Sequence, residues 1–255
     1  MDLGLQGRNI LVTGATGLIG SAIVQALASE GAVPLVHYWT GVRRARDIAE
    51  ATGGIALRAD LRSEAEVESL FDAAITHSGS IDGLVANAGW WPGAPVPSRD
   101  LPLYRWRTTL EQNLTITFLT ARAYLQHVRD IGRGSLVLVS SAAADLGEDG
   151  FADYAAAKSA IAFGLTRTLA REIVADAPTA RVNAVAPSWV PPPGPVDQGR
   201  LRQALATSPL DRPATPTEVA NTILWLLSDE ASSYVTGQVI RVTGGLAGKP
   251  HTPAP

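Results

Sequence analysis

The 255-residue chain contains no cysteine. That absence removes disulfides, thiolate metal ligands and cysteine nucleophiles at once. Lysine is nearly as scarce: it occurs only at positions 158 and 249, within a total of 21 lysines and arginines. The net charge is −3 and no block of basic residues appears, so the electrostatic footprint of a nucleic-acid or anionic-membrane binder is missing. Small neutral or weakly charged molecules are the expected partners. No apolar run reaches the roughly 18 residues that a membrane helix needs. The start, MDLGLQGRNILVTG, lacks a charged region followed by an apolar stretch and a cleavage site, and the chain is therefore expected in the cytoplasm. The four histidines show no ligand-like spacing, so no metal is expected. What remains, 46% hydrophobic residues with 18% charged, is the composition of an ordinary globular protein. One domain over 1–249 is expected, with a loose tail at 250–255 inside the final GKPHTPAP.

Short apolar runs alternate with longer amphipathic stretches. NILVTG, PLVHYW, GLVANAG, GSLVLVSS, ARVNAVAPS and GQVIRVTGG read as buried strands, each ending in glycine or small polar residues, and GGIALRAD forms a further apolar patch. Helices are expected at about 18–29, 42–51, 64–78, 100–130, 154–175, 197–207 and 216–228. This alternation predicts an α/β fold with a doubly wound parallel sheet covered on both faces, whose ligands sit beyond the carboxyl ends of the strands. Pro34 is awkward for an interior strand unless the strand begins there.

The strand ends carry the chemistry. In TGATGLIG, Gly14 permits a sharp turn, Gly17 or Gly20 permits close backbone approach, and the following helix offers unpaired N–H groups to a pyrophosphate; a purely structural turn is the alternative. Asp60 can accept from an adenine amino group or act as a solvated helix cap. Asn87, Ala88 and Gly89 present small groups to a flat ring, or serve tight packing.

Tyr154 and Lys158, in DYAAAKSAIAFG, are spaced i, i+4 and share one helix face. A phenol is a poor base at its free pKa of about 10, but a unit charge at about 4 Å contributes roughly 4 kcal/mol at an effective dielectric of about 20, close to three pKa units as an upper bound. The alternative is a lysine on a solvated face. Ser141, just past SLVLVSS, is placed to share a carbonyl oxygen with the phenol, Ser140 being the near alternative. Asn113, polar amid apolar neighbours, can hold a proton-relaying water or act as a structural hub.

These motifs together resemble the short-chain dehydrogenase/reductase family, in its compact single-domain, 3-oxoacyl-ACP reductase-like form, from NILVTGATGLIG to YVTGQVIRVTGG. The resemblance implies a Rossmann-type seven-stranded sheet in three α/β/α layers, a homotetramer or homodimer, and hydride transfer between a nicotinamide dinucleotide and a ketone or secondary alcohol. It implies Tyr154 as acid/base, Lys158 lowering its pKa and holding the nicotinamide ribose, Ser141 orienting substrate and Asn113 supporting a proton relay. It implies cofactor contacts from Gly14, Thr16, Gly17, Leu18 and Ile19; from Tyr38, Trp39, Thr40 and Arg43; from Asp60 and Leu61; from Asn87, Ala88 and Gly89; from Tyr154 and Lys158; and from Pro187, Trp189 and Val190.

Three departures stand out. The glycine motif has the TGxxGxxG form usual in extended members, with Leu18 at the usual central glycine. Ser188 replaces the glycine after the sixth strand, and Pro192 stands about where a threonine would bind nicotinamide. Tyr38 replaces the aspartate of NAD-preferring members, with Arg43 and Arg44 close behind, and HY is similar to the HYxRS of NADPH-using reductases although Thr40 replaces their arginine. NADP(H) is therefore expected, with NAD(H) the alternative.

Trp90, Trp91, Phe151 and Trp189 flank the expected cleft and point to an apolar or aromatic carbonyl substrate, or simply pack a lid formed by 187–195 and 197–207. Asp145, Glu148 and Asp149 suit a cationic group or a solvated loop. A redox-inactive ligand-binding scaffold and an extended-type epimerase or dehydratase are the rival readings. The retained Asn113, Ser141, Tyr154 and Lys158 oppose the first, and the lack of an added C-terminal substrate domain opposes the second.

Overall fold

In the computed structural model, which describes residues 2–245, every strand of one seven-stranded sheet runs parallel to its neighbours. The expected tail at 250–255 lies outside the described residues. The strands are β1 Asn9–Val12, β2 Val33–Tyr38, β3 Ile55–Arg58, β4 Gly83–Ala86, β5 Ser135–Val139, β6 Arg181–Pro187 and β7 Val239–Val242. The helices are α1 Leu18–Ser29, α2 Val42–Thr52, α3 Glu64–Ser78, α4 Leu103–Leu110, α5 Ile116–Ile131, α6 Ala143–Leu146, α7 Ala152–Ser159, α8 Thr166–Asp176, α9 Gln198–Thr207, α10 Pro216–Leu227 and α11 Asp229–Ser232.

The sheet order is β3-β2-β1-β4-β5-β6-β7. Successive side chains of a strand face opposite ways, so Leu11 packs with α3, α5 and α8 while Ile10 and Val12 pack with α1 and α10. Both faces are covered, and β4, β5 and β6 are buried along their whole length. Strand order reverses between β1 and β4, and the crevice of a doubly wound sheet opens at that reversal.

Local signals set the helix borders. Ser63 accepts the Glu66 N–H at 3.3 Å to start α3, and Thr215 and Glu218 form a reciprocal capping box ahead of Pro216 in α10. The buried guanidinium of Arg181 donates to the carbonyls of Leu226, Leu227 and Ser228 and closes the other end of α10. The long helices differ from their sequence-based form. A π-helical segment, Glu111–Thr115, joins α4 to α5, and another, Ala160–Leu165, joins α7 to α8. Such bulges insert a residue into the hydrogen-bond ladder and gather at functional sites.

Pro34 sits in β2, an interior strand, opposite Ile10. The Val33 N–H donates to Arg8 on the β1 side, so the next nitrogen faces β3, and β3 joins only from Leu35 onward. Proline therefore occupies a position at which no ladder donor is required. Below the join the chains run very close: a Cβ on Gly54 would lie 2.1 Å from the Pro34 carbonyl oxygen. Gly54→Ala is expected to lower unfolding free energy by about 3 kcal/mol in urea titrations, because backbone itself must move. Gly164→Ala, exposed within a helical segment where a Cβ meets nothing within 4 Å, should raise it by up to about 1 kcal/mol.

Candidate active site

The turn after β1 and the turn after β4 meet at the sheet's reversal. Thr13 Oγ1 accepts the backbone N–H groups of Asn87 and Ala88, each at 3.0 Å, and Asn87 Nδ2 donates to the Thr13 carbonyl at 2.9 Å. Asn87 is thus turned inward as a tie. Gly14 adopts φ +62°, and a Cβ there would lie 2.9 Å from Ala88 Cα. Gly20 is required just as strictly, since its Cβ would reach within 2.3 Å of the Gly14 carbonyl. The Gly17 N-cap supplies no side-chain bond to α1, so the first N–H groups of that helix, from Leu18 and Ile19 on, remain for an anion. His37, 2% exposed, lies behind the turn. Its Nδ1 accepts the Gly14 N–H at 3.0 Å and its Nε2 faces the Ala59 carbonyl at 3.1 Å. Burial pushes its pKa down to about 4.

Tyr154 and Lys158 occupy α7, with the Lys158 ammonium 5.7 Å from the Tyr154 ring centre. Lys158 is 4% exposed, its ammonium donates to the Val139 carbonyl at 3.0 Å, and burial lowers its pKa to about 8. A Cβ on Gly89 would stand 2.9 Å from Asn113 Oδ1 and 3.3 Å from Lys158 Nζ. Glycine therefore lets both groups approach the chain beyond β4. Asn113, fully buried in the first π-helical segment, grips Trp90 at both backbone groups, accepting its N–H at 3.2 Å and donating to its carbonyl at 3.0 Å. Its side chain thus ties the chain beyond β4 to this helix.

Ser140 and Ser141 separate cleanly. Ser140 is buried and its hydroxyl donates to the Lys158 carbonyl at 2.8 Å. Ser141 is half-buried, and its oxygen accepts the Ala143 N–H at 3.2 Å, which leaves the hydroxyl proton to donate.

Two aromatic side chains come together beside the phenol. Trp91 packs edge-on against Tyr154, ring centres 4.8 Å apart, and lies 4.2 Å from Phe151. Phe151 is 6% exposed, so it backs this wall, whereas Trp90 is 39% exposed. Behind the wall lies a buried ion pair that the sequence reading missed. Asp153, fully buried, accepts from Arg105 Nε at 3.1 Å and from the Thr109 hydroxyl at 2.7 Å, and Arg105 Nη1 donates to the Ala94 carbonyl at 2.8 Å. The pair ties α4, α7 and the chain after β4 together. Among the described residues, Arg105 Nη2 and Asp153 Oδ1 have no partner.

Farther along the crevice, Tyr38 is 8% exposed and Trp39 is 40% exposed, with the Arg58 guanidinium 4.3 Å from the indole centre. Asp60 does not cap α3: Arg62 grips its carboxylate, at 2.6 Å for the shortest bond, and holds its pKa below the usual carboxylate value. Ser63 caps α3 instead. Leu61 is buried, and Thr40 and Arg43 are exposed at the start of α2. Beyond β6, the Pro187 carbonyl accepts the Ala142 N–H, Trp189 is half-buried, and Val190 packs on the core of the α1–α10 face. Asp145 pairs with Arg241 of β7, which answers its charge without a cationic ligand.

A family model described as enoyl-(acyl carrier protein) reductase matches residues 14–247. The cis-4-hydroxycyclohexanecarboxylate dehydrogenase of Sinomonas cyclohexanicum is 38% identical over 247 residues, 93% of this chain and 96% of that protein. A 3-oxoacyl-[acyl-carrier-protein] reductase of Synechocystis is 34% identical, covering 95% of this chain and 98% of its own. A crystal structure from Sinorhizobium meliloti 1021, described as a candidate short-chain alcohol dehydrogenase, superimposes with a TM-score of 0.87 at 33% identity over 96% of this chain and 98% of that one. The chain belongs to the short-chain dehydrogenase/reductase family and is an NAD(P)-dependent oxidoreductase.

Burying the Lys158 ammonium costs stability. Unfolded, the amine holds its proton to about 10.5; folded, it loses it from about 8. Between those values the unfolded state binds more protons, so this group adds stability as pH rises and adds none below 8. Lys158→Met should therefore raise unfolding free energy at pH 7.5 by about 1–3 kcal/mol and remove the rise between pH 8 and 10, as read by urea titration.

Proposed function

We propose that this short-chain dehydrogenase/reductase interconverts a ketone and a secondary alcohol, with Tyr154 moving the proton. The residues present fit a nicotinamide dinucleotide: the uncapped α1 N-terminus suits a pyrophosphate, and glycines 14, 20 and 89 stand where a Cβ would strike neighbouring atoms. When bound, the reduced dinucleotide supplies the hydride that goes to the carbonyl carbon. In the reductive direction the Tyr154 phenol gives its proton to the carbonyl oxygen, and the Lys158 ammonium stabilises the phenolate left behind. Ser141 donates its hydroxyl proton to the same oxygen and fixes the carbonyl's direction. Asn113 holds the Trp90 backbone, next in the chain to the Gly89 that adjoins Lys158, and so shapes the floor. The observation that carries this reading is the buried ammonium of Lys158 beside the Tyr154 ring and the Gly89 backbone, a cost hard to account for by packing alone.

The cofactor is NADP(H) on this reading. Tyr38 brings no carboxylate to the end of β2, α2 begins at Gly41 with no side-chain cap, and Arg43 and Arg44 stand in its first turn. That combination favours a phosphate dianion over a bare ribose hydroxyl pair. The exposed faces of Trp90 and Trp91 suit a substrate with an apolar cyclic body, in keeping with the alicyclic hydroxy acid in the name of the Sinomonas relative. Association into a homotetramer or homodimer belongs to the same proposal, and exposed Leu103, Tyr104 and Phe118 on α4 and α5 fit it.

Tyr154→Phe should lower kcat for NADPH-dependent ketone reduction, followed at 340 nm, by about 10²–10⁴-fold while the dissociation constant of NADPH stays within about threefold. Undiminished turnover would defeat the role of the phenol. Direct titration should show NADPH bound at least about tenfold more tightly than NADH, and Arg43→Glu should erase most of that difference; tighter NADH binding in the wild type would reverse the cofactor preference.

A further inference from the structure

We infer that His37 is a positioning residue for the cofactor cleft: its imidazole fixes which backbone N–H groups of the glycine turn remain for a phosphate, and links that turn to the loop after β3. This rests on the dinucleotide reading above.

The geometry fixes the tautomer. The Ala59 carbonyl can only accept, so Nε2 carries the proton and donates at 3.1 Å; Nδ1 then offers a lone pair to the Gly14 N–H at 3.0 Å. The neutral ring is fully used, one donor and one acceptor, at 2% exposure. Backbone bonds run alongside: Ala15 N–H to the His37 carbonyl at 2.9 Å, and Ala59 N–H to the Tyr38 carbonyl at 3.1 Å.

Gly14 is the residue on which the turn depends. With φ at +62° and Ala88 pressed against it, it is the tightest point between β1 and α1. A Gly14 N–H without an acceptor would be a buried orphan, or would swing outward and compete with the donors at the start of α1. The imidazole removes that freedom before any ligand arrives, which is preorganisation. On its other side it holds Ala59, and the next two residues are Asp60 and Leu61, at the adenosine end of the crevice in the family reading. One side chain from β2 thus braces both ends of the dinucleotide site, although no atom of it need touch the ligand.

Asparagine and glutamine separate the two bonds, because an Asn amide overlays Nδ1 and a Gln amide overlays Nε2. His37→Asn keeps an acceptor for Gly14 and loses the Ala59 bond; His37→Gln keeps the Ala59 bond and strands the Gly14 N–H. The expected result is NADPH affinity within about threefold of wild type for His37→Asn and at least about tenfold weaker for His37→Gln, with both variants losing similar thermal stability. Equal affinity losses in the two variants, or none in His37→Gln, would overturn the inference while leaving the oxidoreductase reading intact. Wild type binding neither NADPH nor NADH would instead overturn that reading. In the ligand-free wild type, amide exchange offers a test that needs no variant to fold. The Gly14 amide should be protected; exchange as fast as an exposed loop amide would refute the bracing role.

Discussion

An ammonium group held away from water organises this molecule. Lys158 gives one hydrogen bond to Val139, at the carboxyl end of β5, and otherwise lies among buried neighbours that lower its proton affinity. Desolvating a charge is expensive, and nearby features reduce that cost without cancelling it. Gly89 lets backbone come close, Asn113 holds the chain beyond β4 in place, and Ser140 fixes the Lys158 carbonyl, so α7 cannot shift along the end of β5. The two π-helical segments flank this centre, one bearing Asn113 and the other starting two residues after Lys158. Each changes the angular position of the residues C-terminal to it on a long helix, so that one stretch can serve the core and the crevice together.

The rest of the crevice derives from the reversal in strand order. Where β1 and β4 lie side by side, neighbouring crossovers leave in opposite directions and no helix can cover the gap at the carboxyl ends. Side chains on the protein side close it instead: Thr13 with Asn87, His37 with Gly14 and Ala59, and Arg105 with Asp153 and Ala94. All three are polar links at strand or helix ends, and each secures a loop that would otherwise have no fixed course. Backbone donors and small residues then face outward, as recognition of a phosphate-bearing ligand requires.

Much of this was legible in the sequence because it is local. Apolar runs bounded by glycine located the strands, and the amphipathic pattern placed α3 at 64–78, the limits found. Lys158 drew attention because lysine is so scarce, and its spacing from Tyr154 needs only one helix to be read. The family's motifs supplied the seven-stranded parallel sheet. What escaped notice is non-local. His37 looked like part of a strand, since its two partners lie 23 and 22 positions away. Asp153 meets Arg105 across 48 positions, and nothing in either segment announces the other. The grip of Arg62 on Asp60 also went unread, because a carboxylate held by a residue two places on looks the same in sequence as a solvated one. The π-helical segments leave no composition signature, since the extra residue is accommodated by packing rather than by glycine or proline.

The Thr13–Asn87 tie spans 74 positions of chain, and it joins the first αβ half of the protein to the second. Closing a seam between such distant segments carries a loop-closure entropy that is recovered only when both halves have docked. Any ligand lodged across that seam binds the closed form alone, so its concentration sets how often the two halves part. A dinucleotide seated there therefore stabilises the joined halves increasingly as its concentration climbs past its dissociation constant.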